Sequence, residues 1–146
     1  NYKNNTFVHR DFHVSNLIIT SKNQIGLIDN QDALIGNKAY DLASLIDDVR
    51  CKTSNTFKEK VYNYYLRTNK TLSRSKFKND FDILSVVRNL KIIGIFMRLS
   101  ERDSKKKYLK LIPYAWHMID NRINKNNVFY NLKSLLQSNF PKFLSN

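Results

Sequence analysis

At 146 residues the chain has the length of one compact domain, and a hydrophobic share of 42% supplies enough apolar side chains for a core. Lysine and arginine outnumber aspartate and glutamate by 25 to 12, giving a formal net charge of +13, a balance that suits anionic substrates, nucleic acid or membrane headgroups. The single cysteine, Cys51, excludes an internal disulfide, and no apolar run approaches the roughly 20 residues that span a bilayer, so neither a disulfide scaffold nor a membrane-spanning protein is expected.

In chain order, the first pattern is the pair of apolar runs Leu17-Ile18-Ile19 and Ile25-Gly26-Leu27-Ile28 around Thr20-Ser21-Lys22-Asn23-Gln24. It reads as a β-hairpin with a polar turn. A loop of Ser21-Lys22-Asn23-Gln24 predicts an antiparallel register that pairs Thr20 with Ile25, Ile18 with Leu27 and Asn16 with Asp29. The rest reads as helical. Leu42, Leu45, Ile46 and Val49 recur at helical spacing over Tyr40 to Arg50, and Asp41 falls in the first turn, where free amides and the helix dipole favour a carboxylate. Ser54 to Leu66 is a second helix. Ser75 can cap a third that runs to about Leu99, with an apolar arc wide enough for burial on several sides. Ser104 to Leu111 is a further helical segment, Pro113 suits the first turn of a helix over Tyr114 to Ile123, and Val128 to Phe140 closes the chain. The fold class expected is α+β, mostly α, with one small hairpin and about five or six helices.

Chemistry concentrates at the start, in His9-Arg10-Asp11-Phe12-His13-Val14-Ser15-Asn16 and, after the hairpin, Ile28-Asp29. Facing residues on paired strands have Cβ atoms about 4.5 to 5.5 Å apart. Asn16 and Asp29 would therefore offer two hard oxygen ligands to magnesium ions bridging the phosphates of one nucleotide. Asp11, in the loop before the hairpin, can accept the proton of an attacking hydroxyl. Each residue alone is an ordinary turn or cap residue; the three at this spacing point to phosphoryl transfer. Zinc is not expected, because no cysteine or third histidine completes a site. Asp32 and the Asp47-Asp48 pair are either acceptor contacts, with Asp48 the candidate of the pair, or solvated turn and helix acids.

The stretch H-x-D-x-x-x-x-N followed by I-D resembles the aminoglycoside phosphotransferase and choline kinase branch of the protein-kinase-like fold, and His13, two residues after the base, is similar to that branch. Asp29 to Gly36, Ala39 to Leu45 and Leu90 to Leu99 resemble a narrower set, the bacterial anomeric kinases of N-acetylmuramate and N-acetylglucosamine used in cell-wall recycling. The resemblance implies a C-terminal kinase lobe that binds ATP and Mg2+ and phosphorylates a sugar in the cytoplasm, with Asp11 as base, Asn16 and Asp29 as metal ligands, and His9, Arg10, His13 and Asp41 holding the loop. It also implies a glycine loop and lysine over the nucleotide phosphates. Gly26, Gly36 and Gly94 form no such loop, so residues 1–146 are expected to be the C-terminal lobe with the N-terminal lobe absent.

The positive charge lies elsewhere: the first fifty residues hold five Lys or Arg against six Asp, and the remainder carries the whole excess. A solvated lysine-rich surface accounts for it, and nucleic acid is not the expected partner. Three functions stay open: an ATP-dependent sugar kinase, a binding-only kinase lobe, and a basic module for nucleic acid or membrane surfaces.

Overall fold

The computed structural model describes residues 4–144. It contains four short strands, β1 (Thr6–Val8), β2 (Leu17–Ile19), β3 (Ile25–Leu27) and β4 (Leu34–Gly36), and five α-helices, α1 (Ala39–Ile46), α2 (Asn55–Thr68), α3 (Arg74–Arg102), α4 (Ile112–Ile123) and α5 (Tyr130–Asn139). Two compact units divide the chain at Leu84. No helix among the described residues is long and apolar enough to cross a membrane.

The first unit carries both sheets, each of two antiparallel strands: β2 with β3, and β1 with β4. The hairpin forms where its apolar runs predict it, with a different register. Leu17 faces Leu27, Ile18 faces Gly26 and Ile19 faces Ile25. The loop is one residue shorter than expected, because Asn23 takes a left-handed conformation (φ 56) and closes a three-residue connection, with Asn23 N–H donating to the Thr20 carbonyl (2.9 Å) and Thr20 N–H to that of Gln24 (2.8 Å). Asparagine tolerates that backbone region better than most residues do. A slip of one residue turns every side chain to the opposite face, so Asn16 lies across from Ile28, whose amide donates to the Asn16 carbonyl (3.1 Å). The expected pairing of Asn16 with Asp29 is corrected accordingly.

The β1–β4 sheet has no counterpart in the sequence reading. It pairs Thr6 with Gly36, Phe7 with Ile35 and Val8 with Leu34, and it brings the start of α1 back beside the end of β1. Asn37 fixes that start: its side-chain oxygen accepts from Ala39 N–H (2.9 Å) as an N-cap does, while its amide donates to Asp80 (2.8 Å).

Helix α1 ends at Ile46 and not at Arg50, because Asp47 and Asp48 turn out of the helix to serve other segments. Asp47 pairs with Lys58 (3.1 Å). Ser54 caps α2 by accepting from Phe57 N–H (3.2 Å). Beneath these helices, Ala39, Leu42, Ala43 and Ile46 of α1 form a core with Phe77, Phe81 and Leu84 of α3. Tyr62 of α2 meets Phe81 edge-on with centroids 5.0 Å apart, and Tyr65 stacks on Phe77 at 5.3 Å.

In the second unit, residues 104–111 tighten into a 3₁₀ segment over Lys106–Leu111, and Pro113 stands in the first turn of α4 as its missing N–H allows. The expected helix from Val128 to Phe140 divides into a 3₁₀ turn, Asn127–Phe129, and α5, because the Asn126 side chain accepts from Val128 N–H (3.1 Å) and caps a separate turn. Trp116 stacks on Phe143 at 5.4 Å and leans on Phe140 at 5.1 Å.

Candidate active site

The segment between β1 and β2 is held in place by a single carboxylate. Arg10 has φ 74, a left-handed conformation that costs an ordinary L-residue about 1–2 kcal/mol. Asp41, in the first turn of α1, accepts from His9 N–H through Oδ2 (2.7 Å) and from Arg10 N–H through Oδ1 (3.1 Å). A hydrogen bond to a charged group contributes about 1.5–3 kcal/mol, so two of them offset the strained turn. Asp41 thus serves amides of another segment, and not the helix N-terminus its position suggested.

His9 is almost wholly buried, at 1% exposure. Its Nε2 lies 3.1 Å from the Ile28 carbonyl; a carbonyl only accepts, so Nε2 carries the hydrogen. The ring meets Phe12 edge-on at 6.2 Å. His9 therefore ties the loop to the chain just before Asp29. The Arg10 guanidinium donates to the Asp32 carbonyl (3.3 Å), bracing the exposed turn that follows.

Asn16 gathers the rest. Its Nδ2 donates to the Asp11 carbonyl (2.9 Å) and approaches Asp29 Oδ2 at 3.4 Å. Asp29 lies past the end of the β2–β3 ladder with φ 69, and this turn returns its carboxylate to Asn16 despite the shifted register. Gln31 holds the other carboxylate oxygen of Asp29 (2.6 Å). The loop itself closes through His13 N–H to the Asp11 carbonyl (3.0 Å) and Asn16 N–H to the His13 carbonyl (2.9 Å). The Asn16 side chain thus links the Asp11 main chain to the Asp29 carboxylate, while His9, Arg10, His13 and Asp41 bond within or onto the same loop.

The two other acids fall differently. Asp32 is exposed on the turn after Asp29. Asp48 is 1% exposed; it accepts from Val14 N–H (3.2 Å) and from the amide (3.0 Å) and guanidinium (3.4 Å) of Arg50. A buried carboxylate so engaged holds the loop from below. Gln31 and Asn37, which position Asp29 and α1, escaped the sequence reading, since a short polar side chain near a turn carries no signal of its partner. On the far side of Val14 lies an apolar cavity of about 290 Å3, walled by Leu45, Ile46, Phe57 and Val61, with Cys51 among its lining residues.

With Nδ2 of Asn16 given to Asp11, its Oδ1 is the atom left for a cation, beside the exposed carboxylate of Asp29. Among the described residues no three His, Cys, Asp or Glu side chains converge on one point. Two oxygen donors fit an ion that takes the balance of its ligands from water and phosphate, which is the habit of Mg2+.

Comparison with known proteins identifies the family. Residues 2–76 match the sequence model of the phosphotransferase enzyme family. The chain is 34% identical over 118 residues to an N-acetylmuramate/N-acetylglucosamine kinase of Caulobacter vibrioides, covering 78% of this chain and 32% of that protein. It is 38% identical over 113 residues to a protein of the same name from Neisseria meningitidis (73% and 34%) and 31% identical over 138 residues to one from Pseudomonas aeruginosa (90% and 40%). The chain spans about a third of the length of these curated relatives.

Proposed function

Because this chain belongs to the phosphotransferase enzyme family, we propose that it carries the catalytic loop of an ATP-dependent kinase that phosphorylates a hydroxyl of a small molecule, an amino sugar of the N-acetylmuramate or N-acetylglucosamine kind. The observation that carries this reading is the Asn16 side chain, which stands 2.9 Å from the Asp11 carbonyl and 3.4 Å from the Asp29 carboxylate. The relatives' names supply the acceptor class.

In this reading the acceptor hydroxyl gives its proton to the Asp11 carboxylate as its oxygen forms the bond to the γ-phosphorus of ATP and the bond to the bridging oxygen of ADP breaks. Asn16 Oδ1 and the Asp29 carboxylate would hold Mg2+, which neutralises charge on the phosphates. Asn16 also fixes where Asp11 sits, through the hydrogen bond to its carbonyl. His9 sets the Ile28 carbonyl and hence the start of the Asp29 turn. Asp41 keeps His9 and Arg10 from relaxing, and His13 closes the loop through its own backbone. Asp48 braces Val14 from beneath, and the exposed Asp32 is left as the acid able to face an acceptor.

Residues 1–146 joined to a lobe that carries the phosphate-covering glycine loop and lysine are expected to release ADP from ATP, Mg2+ and N-acetylmuramate, which residues 1–146 alone are not expected to do. Asp11→Asn is expected to lower that turnover by about 10²- to 10⁴-fold, the usual contribution of a positioned base. Turnover that survives Asp11→Asn unchanged would remove the base assignment. Nucleotide binding without turnover in that joined protein would favour the binding-only reading instead.

A further inference from the structure

We propose that the groove between α2 and the start of α3 is a second ligand site, which takes a phosphate monoester attached to a ring. The groove has a volume of about 660 Å3 and is lined by Lys60, Asn63, Tyr64, Arg67 and Arg74 over the aliphatic side chains of Val61 and Leu66. It shares no residue with Asp11, Asn16 or Asp29, and it does not depend on the kinase reading.

The backbone explains the convergence. Lys60, Asn63, Tyr64 and Arg67 stand at i, i+3, i+4 and i+7, one face of α2. The chain then turns back through Asn69, whose side chain donates to the Tyr65 carbonyl (2.9 Å) and whose own carbonyl receives Leu72 N–H (3.1 Å). This return sets Arg74 at the head of α3 against the same face.

Charge then decides the ligand. Among the described residues, Lys60, Arg67 and Arg74 form no ion pair. Nearby acids on the same elements are engaged elsewhere: Asp82 with Lys78 (2.6 Å) and Asp80 with Asn37 (2.8 Å). Glu59, adjacent in sequence, does not line the groove. Three cations around one opening repel each other, and a doubly charged anion between them gains from all three. Guanidinium forks match phosphate oxygens two at a time. The exposed Tyr64 ring, at 63% exposure, offers a face for a base or a sugar, and Val61 and Leu66 supply the apolar floor usual in ligand sites. The volume falls within the range of single small-molecule sites. A surface for single-stranded nucleic acid presents successive stacking rings along its track, whereas this groove offers one.

The test is calorimetric titration of the full chain with adenosine 5′-monophosphate and with glucose 6-phosphate, in EDTA so that no divalent cation supports binding at Asn16 and Asp29. Saturable binding of at least one monoester is expected, weakened at least ~10-fold in the Arg67→Gln/Arg74→Gln double variant and unchanged in Asp29→Asn. A preference for adenosine monophosphate that Tyr64→Ala removes identifies a nucleotide ligand; equal uptake of both identifies the phosphate and a generic ring. These groove side chains are exposed, so an unchanged melting temperature in each variant checks that the fold persists. No saturation by either monoester, equal affinity in the double variant, or retention of a thymidine oligonucleotide without uptake of a monoester would overturn the proposal.

Discussion

Asp41 does more than hold two amides, since its charge also reaches Tyr65 on the neighbouring helix. Burial first, and the Asp41 carboxylate second, raise the Tyr65 hydroxyl above its ordinary value of 10.0; the hydroxyl donates to the Lys38 carbonyl (3.3 Å). A pKa higher in the folded state than in the unfolded chain means that the fold favours the protonated phenol. The stabilisation is complete below the unfolded value and is lost as pH rises from about 10 through the folded value. Chemical denaturation followed between about pH 8 and 11 should show a steeper decline in the unaltered protein than in Tyr65→Phe, which has no proton to lose there. Parallel profiles for the two proteins would place the alkaline sensitivity elsewhere. At this scale the motif marked the residues that the Asn16 side chain links, the Asp11 main-chain carbonyl and the Asp29 carboxylate. It was silent on dihedral angles, including the left-handed turns at Arg10 and Asp29 that flank those contacts.

Among the elements, the strands depend on contacts that sequence patterns do not record. β1 and β4 are three residues each and lie 25 residues apart, so no local periodicity announces their pairing. Gly36 shows how close it is. A Cβ added there would stand 3.0 Å from Val8 Cγ2 and 3.1 Å from Leu34 Cδ1, and Val8 is 2% exposed with little room to give. Gly36→Val is therefore expected to destabilise the protein by about 1–3 kcal/mol, read as a lower urea midpoint at unchanged slope. The helices were more legible, because their signals are local: the cap at Ser54 and the proline at position 113 mark starts to within a residue or two. Their ends were less so. Helix α1 stops at Ile46 because Asp47 and Asp48 bond to Lys58 and Val14, partners eleven or more residues distant that a helical stripe does not reveal. The hairpin's register slipped for a similar reason, since the conformation of Asn23 sets the loop length.

For the molecule as a whole, a net charge of +13 means that folding gathers like charges. Pairs such as Lys58 with Asp47 and Lys78 with Asp82 offset part of it. Self-repulsion of this kind opposes the compact state and is screened by salt, whose Debye length falls from about 30 Å at 0.01 M to about 10 Å at 0.1 M. The thermal midpoint should accordingly rise over that interval of sodium chloride. A midpoint that falls would show that the ion pairs outweigh the repulsion. The residues of the candidate active site lie within the first of the two compact units, and so do the residues that match the family. The excess charge lies mostly outside the stretch that carries Asp11, Asn16 and Asp29, so chemistry and electrostatic load are separated along the chain.

Cys51 is the chain's one thiol; it is exposed, and it shares a cavity wall with Val14, the residue midway between Asp11 and Asn16. A maleimide dye would consequently attach at a single address without any prior mutagenesis. Its emission would register movement of the neighbouring loop that carries Asp11 and Asn16.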